Sequence, residues 1–104
     1  MNPQEIIGGV EIKRDAMGGY PTWSMAEGRW HLNFKLGGIK KGKPVYHVTR
    51  EDCNPKAHYF FTLDAGEISD SLPEEQQKGA KKFSALPKKV GDFVSTNIND
   101  LLPK

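Results

Sequence analysis

Between residues 29 and 36 apolar and polar side chains alternate without a break. Trp30, Leu32, Phe34 and Leu36 interleave with Arg29, His31, Asn33 and Lys35. A period of two is that of a β-strand, and here it gives one apolar face and one cationic face. Residues 45–50, Val-Tyr-His-Val-Thr-Arg, are rich in β-branched and aromatic side chains and predict its partner strand. A further strand is predicted over 57–63. Upstream, Val10 and Ile12 alternate with Glu11 and Lys13, a short strand entered through Gly8-Gly9. Residues 22–25 read as another short strand or as an extended run-in to the next. Gly18-Gly19 with Pro21, and Asn54-Pro55 within 52–55, mark turns.

After Gly66 the pattern changes period. Ser71-Leu72-Pro73-Glu74 has the form of a helix start, with Ser71 as N-cap, Glu74 answering it and Pro73 in the first turn. This predicts a helix to about Ser84, striped by Leu72, Ala80 and Phe83, with Leu86-Pro87 as its break. A second helix is predicted from about Lys88 to Asn99, because Val90, Phe93, Val94, Ile98 and Leu101 recur at spacings of three and four. Strands first and helices afterwards predict an α+β fold. The expectation is one domain, β-rich over 9–63 and helical over 71–101. An antiparallel sheet of four to five strands is followed by two C-terminal helices packed on one face. Trp30, Leu32, Phe34, Tyr59, Phe61, Val90, Phe93, Val94 and Ile98 should share one core.

A chain of 104 residues supports one modest core. It holds no run of about 18 apolar residues, which argues against a membrane span. No charged segment followed by an apolar one opens the chain, so no secretory signal is visible. Cys53 is the single cysteine, which fits a reducing, cytoplasmic setting. The net charge is only +2, but it is distributed in blocks. Residues 29–58 hold seven basic and two acidic groups, residues 59–75 five acidic and none basic, and residues 76–89 five basic and none acidic. A local field of that strength can steer an anionic partner even when the total is small.

The candidate chemistry lies on the polar side of the strands. His31 shares parity with Arg29, Asn33 and Lys35. His58 and Phe60 point outward if Tyr59 and Phe61 point in. His47 and Thr49 join them if Tyr46 and Val48 point in, although the opposite parity, with Val45 in, fits residues 45–50 nearly as well. Gly37-Gly38-Ile39-Lys40-Lys41-Gly42-Lys43 predicts a seven-residue lysine-rich loop without the order of a Walker motif. Ammonium groups on such a tip can follow a phosphate backbone, and an exposed Phe60 can stack on a base. The reading is therefore a non-enzymatic binding module for nucleic-acid backbone or another anionic partner. Its expected binding residues are Arg29, Lys35, Lys40, Lys41, Lys43, Arg50 and Phe60. Two alternatives stand beside it. One is a metal-independent ribonuclease using His31, His47 and His58, since imidazoles titrate near neutrality and serve as both acid and base. The other is a protein-interaction or inhibitor module presenting the acidic 64–75 segment. No H-x-x-x-H or C-x-x-C spacing occurs, so neither metal nor cofactor is expected.

Overall fold

The computed structural model describes residues 5–16, 19–70 and 81–103, with Lys40 described by its backbone alone. Seven strands follow one another up and down, each antiparallel to the next: β1 (Glu5–Ile7), β2 (Val10–Arg14), β3 (Pro21–Met25), β4 (Gly28–Lys40), β5 (Lys43–Arg50), β6 (Ala57–Asp64) and β7 (Glu67–Ser69). An eighth, β8 (Lys81–Lys82), pairs parallel with β6 beside Tyr59 and Phe60. A single 3-10 turn, Phe83–Ala85, leads to the helix α1 (Lys88–Leu101). No described helix is long and apolar enough to cross a membrane.

Four of the hairpins close through two residues, both left-handed: Gly8-Gly9, Ala26-Glu27, Lys41-Gly42 and Ala65-Gly66. A two-residue turn with positive φ at both positions has the twist that antiparallel strands need. Glycine supplies that conformation freely at Gly8, Gly9, Gly42 and Gly66. Ala26 and Glu27, at φ 49° and 60°, adopt it against the preference of their Cβ atoms.

The α+β class is as expected, but its finer form is not. Among the described residues the sheet has seven strands in series plus β8, not four to five. β1 covers only three residues, too few for alternation to register. The expected seven-residue lysine loop is also absent, because pairing of β4 with β5 resumes at Ile39↔Pro44 and Lys40↔Lys43 after an irregularity beyond Phe34. Gly37, at φ 71°, and Gly38 absorb that irregularity. A Cβ on Gly38 would collide with the backbone oxygens of Lys35 and Val45, so the glycines make a bulge rather than a loop. Among the described residues there is one C-terminal helix, not two. Of the helix expected over 72–84, residues 71–80 lie outside the described residues, 81–82 are strand, and Phe83 opens the 3-10 turn. Lys81 and Lys82 bond instead to the free edge of β6, and the Phe83 ring sits edge-on to Phe61 at 5.1 Å.

The core lies between one sheet face and α1. Trp23, Trp30, Leu32, Val48, Tyr59, Phe61 and Leu63 meet Val90, Phe93, Val94, Ile98 and Leu101, with Phe83 and Leu86 filling in beside β6. Phe34 is on the same face but only half-buried, set edge-on to Tyr46 at 5.5 Å. The Trp30 indole nitrogen donates to the carbonyl of Met25.

The C-terminal end of α1 is held by one side chain. Arg14 Nε and Nη2 donate to the two carboxylate oxygens of Glu5 at 2.9 and 2.8 Å. Nη2 also donates to Asp100 O at 2.7 Å, and Nη1 to Leu101 O at 2.9 Å and Gly19 O at 3.0 Å. All five N–H groups of the guanidinium have an acceptor. Its side chain is 7% exposed. Replacing Arg14 by Met is expected to cost about 3–5 kcal/mol, because Glu5 is left without its bidentate partner and the helix carbonyls without donors. Arg14→Lys should restore little, since an ammonium has no planar fork. Urea unfolding monitored by tryptophan fluorescence measures this, and a loss in Arg14→Met under about 1 kcal/mol would show that the cluster does not hold the helix.

The strained hairpin gives the opposite sign. Ala26→Asn together with Glu27→Gly should stabilise the protein by roughly 1 kcal/mol, since both replacements tolerate positive φ. Thermal unfolding should shift upward by about 4–8 °C for a domain of this size. A lower midpoint would contradict the strain.

Candidate functional site

The register places the polar side chains in rows on the face turned away from α1. One row runs Thr22, His31, Thr49, His58 across β3 to β6. The next runs Asn33, His47, Phe60, Lys82 across β4, β5, β6 and β8. Lys13 stands beside Thr22 and Arg29 beside Ser24, while Lys35 follows Asn33 on the same side of β4. The parity of β5 is therefore the one with Val48 in the core and His47 outward. Val45 is nevertheless fully buried on the outward side, next to Thr62, which is why the alternation of residues 45–50 reads two ways.

The three imidazoles differ in environment. His31 Nδ1 lies 2.8 Å from the carbonyl of Pro21 and 2.9 Å from Thr22 Oγ1. A carbonyl only accepts, so Nδ1 carries the proton. Its Nε2 faces Asp15 Oδ2 at 3.4 Å. His58 Nδ1 lies 3.1 Å from Thr49 Oγ1, a buried hydroxyl. The His47 ring is nearly parallel to that of His58, 11° apart with centroids at 5.4 Å, and also 5.4 Å from Phe60. His47 Nδ1 is buried without a partner. Burial above all, then the neighbouring His58, His31 and Lys35, lowers the His47 pKa to about 4, with Glu51 opposing. At neutral pH the ring is uncharged.

The cations fall into two groups. Lys13, Arg29, Lys35 and Lys82 have no carboxylate partner among the described residues. Lys35 Nζ sits over the Phe60 ring at 5.5 Å. Arg29 and Lys13 border a shallow open groove with Thr22 and His31, rimmed by Asp15 and Glu51. Lys43, on the same side of the sheet, is neutralised by Asp64 at 3.2 Å.

Of the residues expected from the sequence, Arg29, Lys35 and Phe60 thus gather with all three histidines. Lys41 is exposed in the hairpin turn at the far end of β4, and Lys40 closes that strand. Arg50 belongs elsewhere. It pairs with Trp30 and Ala57 on the helix-side face, where its guanidinium covers the Trp30 ring at 5.8 Å and bonds Asp52 at 2.9 Å. His31 and His58 share a row but are two strands apart, with Thr49 between them, roughly 10 Å at ordinary strand spacing. The histidines in contact are His47 and His58. Lys13, Thr22 and Lys82 also belong to this face. The alternation of Lys13 with Ile12 signals an outward lysine, but only the β2–β3 register brings it to the groove. Lys82 escapes detection because its segment reads as helix. Among the described residues no group of three or more His, Cys, Asp or Glu side chains is arranged to hold a metal ion. No protein-family model matches this chain, and neither a curated protein nor a solved structure matches it.

The neutral His47 makes stability depend on pH with a definite sign. Its pKa is lower in the fold, about 4, than the ordinary 6.5 of an unfolded chain. The unfolded state therefore binds a proton first as pH falls, and stability is lost between about pH 6.5 and pH 4. Above pH 6.5 this group has no effect. Replacing His47 by Gln should flatten the fall of the urea midpoint over that window. An equally steep fall in His47→Gln would mean that other groups account for it.

Proposed function

We propose that this protein is a non-enzymatic binding module that holds nucleic-acid backbone, or a comparable polyanion, on the sheet face opposite α1. One observation carries the reading: four cations without carboxylate partners among the described residues, Lys13, Arg29, Lys35 and Lys82, share that face with three histidines and Phe60. From β2 to β8 the face spans five strand steps, roughly 24 Å, which suits several consecutive phosphates rather than one small anion. The footprint differs from one centred on a lysine loop. Asp64 neutralises Lys43, and Arg50 faces the other way, so neither supports it.

Fluorescence anisotropy with labelled single-stranded DNA, RNA and duplex DNA at two salt concentrations tests the proposal. Replacing Lys13, Arg29, Lys35 and Lys82 by Ala should weaken binding and reduce the salt slope by about 0.7 for each phosphate no longer neutralised, up to roughly 2.8 on single strands. Lys41→Ala should change affinity much less. Absence of binding to any probe at low salt, or an unchanged slope in the fourfold variant, would overturn it.

The contact between His47 and His58 favours a second reading, a metal-independent ribonuclease in which these two rings act as acid and base. Cleavage of RNA by the wild-type protein, lost in His47→Ala and in His58→Ala, would replace binding by catalysis.

A further inference from the structure

The His47–His58 pair has an arrangement that the binding of a polyanion by lysine and arginine does not require. Two imidazoles from adjacent strands lie nearly parallel with centroids 5.4 Å apart. Each has its Nδ1 side turned toward the sheet: that of His58 is engaged by Thr49 Oγ1, and that of His47 is buried. The Nε2 atoms of both rings carry no hydrogen bond among the described residues. Two accessible nitrogens on rings stacked at this centroid distance can reach two oxygens of one phosphoryl group, each imidazolium donating one N–H.

We propose that His47 and His58 together form a phosphoryl-binding anchor that takes up protons when it is occupied. This rests on the polyanion reading and names the chemistry at its centre. The groups facing the pair fix the sign. His31 and Lys35 approach from β4, and Lys82 stands next to Phe60 on β8. All are cationic or become so on protonation. Glu51 opposes them from the end of β5, and Asp15 sits against His31. Without a ligand, burial first and this surplus of positive charge second keep the His47 ring neutral. A phosphoryl group supplies the missing negative charge, so a proton on either ring becomes favourable once the anion is bound. Linkage then requires affinity to rise as pH falls, about tenfold per pH unit for each proton taken up.

The test uses a short oligothymidylate, whose bases do not titrate in the range, and inorganic tripolyphosphate. The first presents phosphoryl groups within a nucleic acid and the second presents them free. Affinity is measured at pH 7.5 and pH 6.0, with circular dichroism in the same buffers to check that the protein is folded. Titration calorimetry at pH 6.0 in two buffers of different ionisation heat counts the protons. Affinity for at least one probe should rise about tenfold between the two pH values, with net proton uptake. His47→Gln and His58→Gln should each reduce that gain to less than about threefold. His58→Arg, which keeps a permanent charge, should bind at pH 7.5 with the affinity the wild type shows at pH 6.0. If the probes bind with no pH dependence, or with one that survives both glutamine variants, the anchor is wrong and the polyanion reading stands. If neither probe binds at either pH, both fail. A gain with oligothymidylate alone identifies the phosphodiester as the ligand, and a gain with both identifies any phosphoryl group.

Discussion

A guanidinium almost out of water holds the two ends of this chain together. Arg14 projects from β2 on the same side as Ile12, into the corner where β1, the approach to β3 and the end of α1 converge. Burying a charge is tolerable only when its hydrogen-bonding capacity is filled, and here Glu5 and three backbone carbonyls fill it. The last carbonyls of a helix lack intrahelical donors and carry the negative end of its dipole. An arginine at that position answers both the geometry and the charge. With α1 pinned there, Val90, Phe93, Val94, Ile98 and Leu101 are fixed over the tryptophan side of the sheet, and Trp23 meets Phe93 at 5.4 Å.

That constraint leaves the opposite face uncovered by the helix. A meander of two-residue hairpins has one core-facing side, and α1 lies across it at β1 and β3. The other side keeps the polar half of most alternations, Val45 and Phe60 being exceptions. Because neighbouring strands are antiparallel and in close register, side chains far apart in sequence become neighbours. Lys13, Thr22 and His31 line up across three strands, and His47, Phe60 and Lys82 across three others. The same hairpin geometry left its mark on the backbone, since Ala26 and Glu27 take left-handed conformations where glycine or asparagine would rest more easily.

Much of this was legible in the sequence because period two and period 3.6 are strong signals when they persist. The strands at 29–36, 45–50 and 57–63, the helix beginning at Lys88 and, apart from the half-buried Phe34, the apolar set from Trp30 to Ile98 all follow from it. The shared face of His31, His47 and His58 follows too, once Tyr46 and Val48 are set inward. What stayed hidden depended on contacts between distant segments. β1 is too short for a period to show. Gly37-Gly38 looks like a loop because glycine marks a turn and a bulge alike, and only the close approach of Lys35 and Val45 decides between them. Lys82 became a strand residue through the free edge of β6, which no local pattern reveals. Arg50 follows the alternation of its strand onto the helix-side face, and its charge alone does not place it on the histidine-bearing one.

The distribution of charge on that face decides what it suits. A soluble surface usually sets opposite charges beside one another, and this protein does so at Lys43 with Asp64, Lys56 with Glu51 and Lys88 with Asp92. Across the histidine rows the pattern is broken. Lys35 has an aromatic ring for a neighbour instead of a carboxylate, and His47 gives up its proton because it is buried among charges predominantly of its own sign. Mutual repulsion among such groups is a standing cost to the fold. A bound anion relieves it at several positions at once, whereas water and dissolved salt only screen it. The stacked imidazoles fit the same pattern, because their charge is conditional. His47 adds nothing to the repulsion while the face is empty, and on the proposed reading it becomes a donor once an anion is bound, which a lysine there would not do.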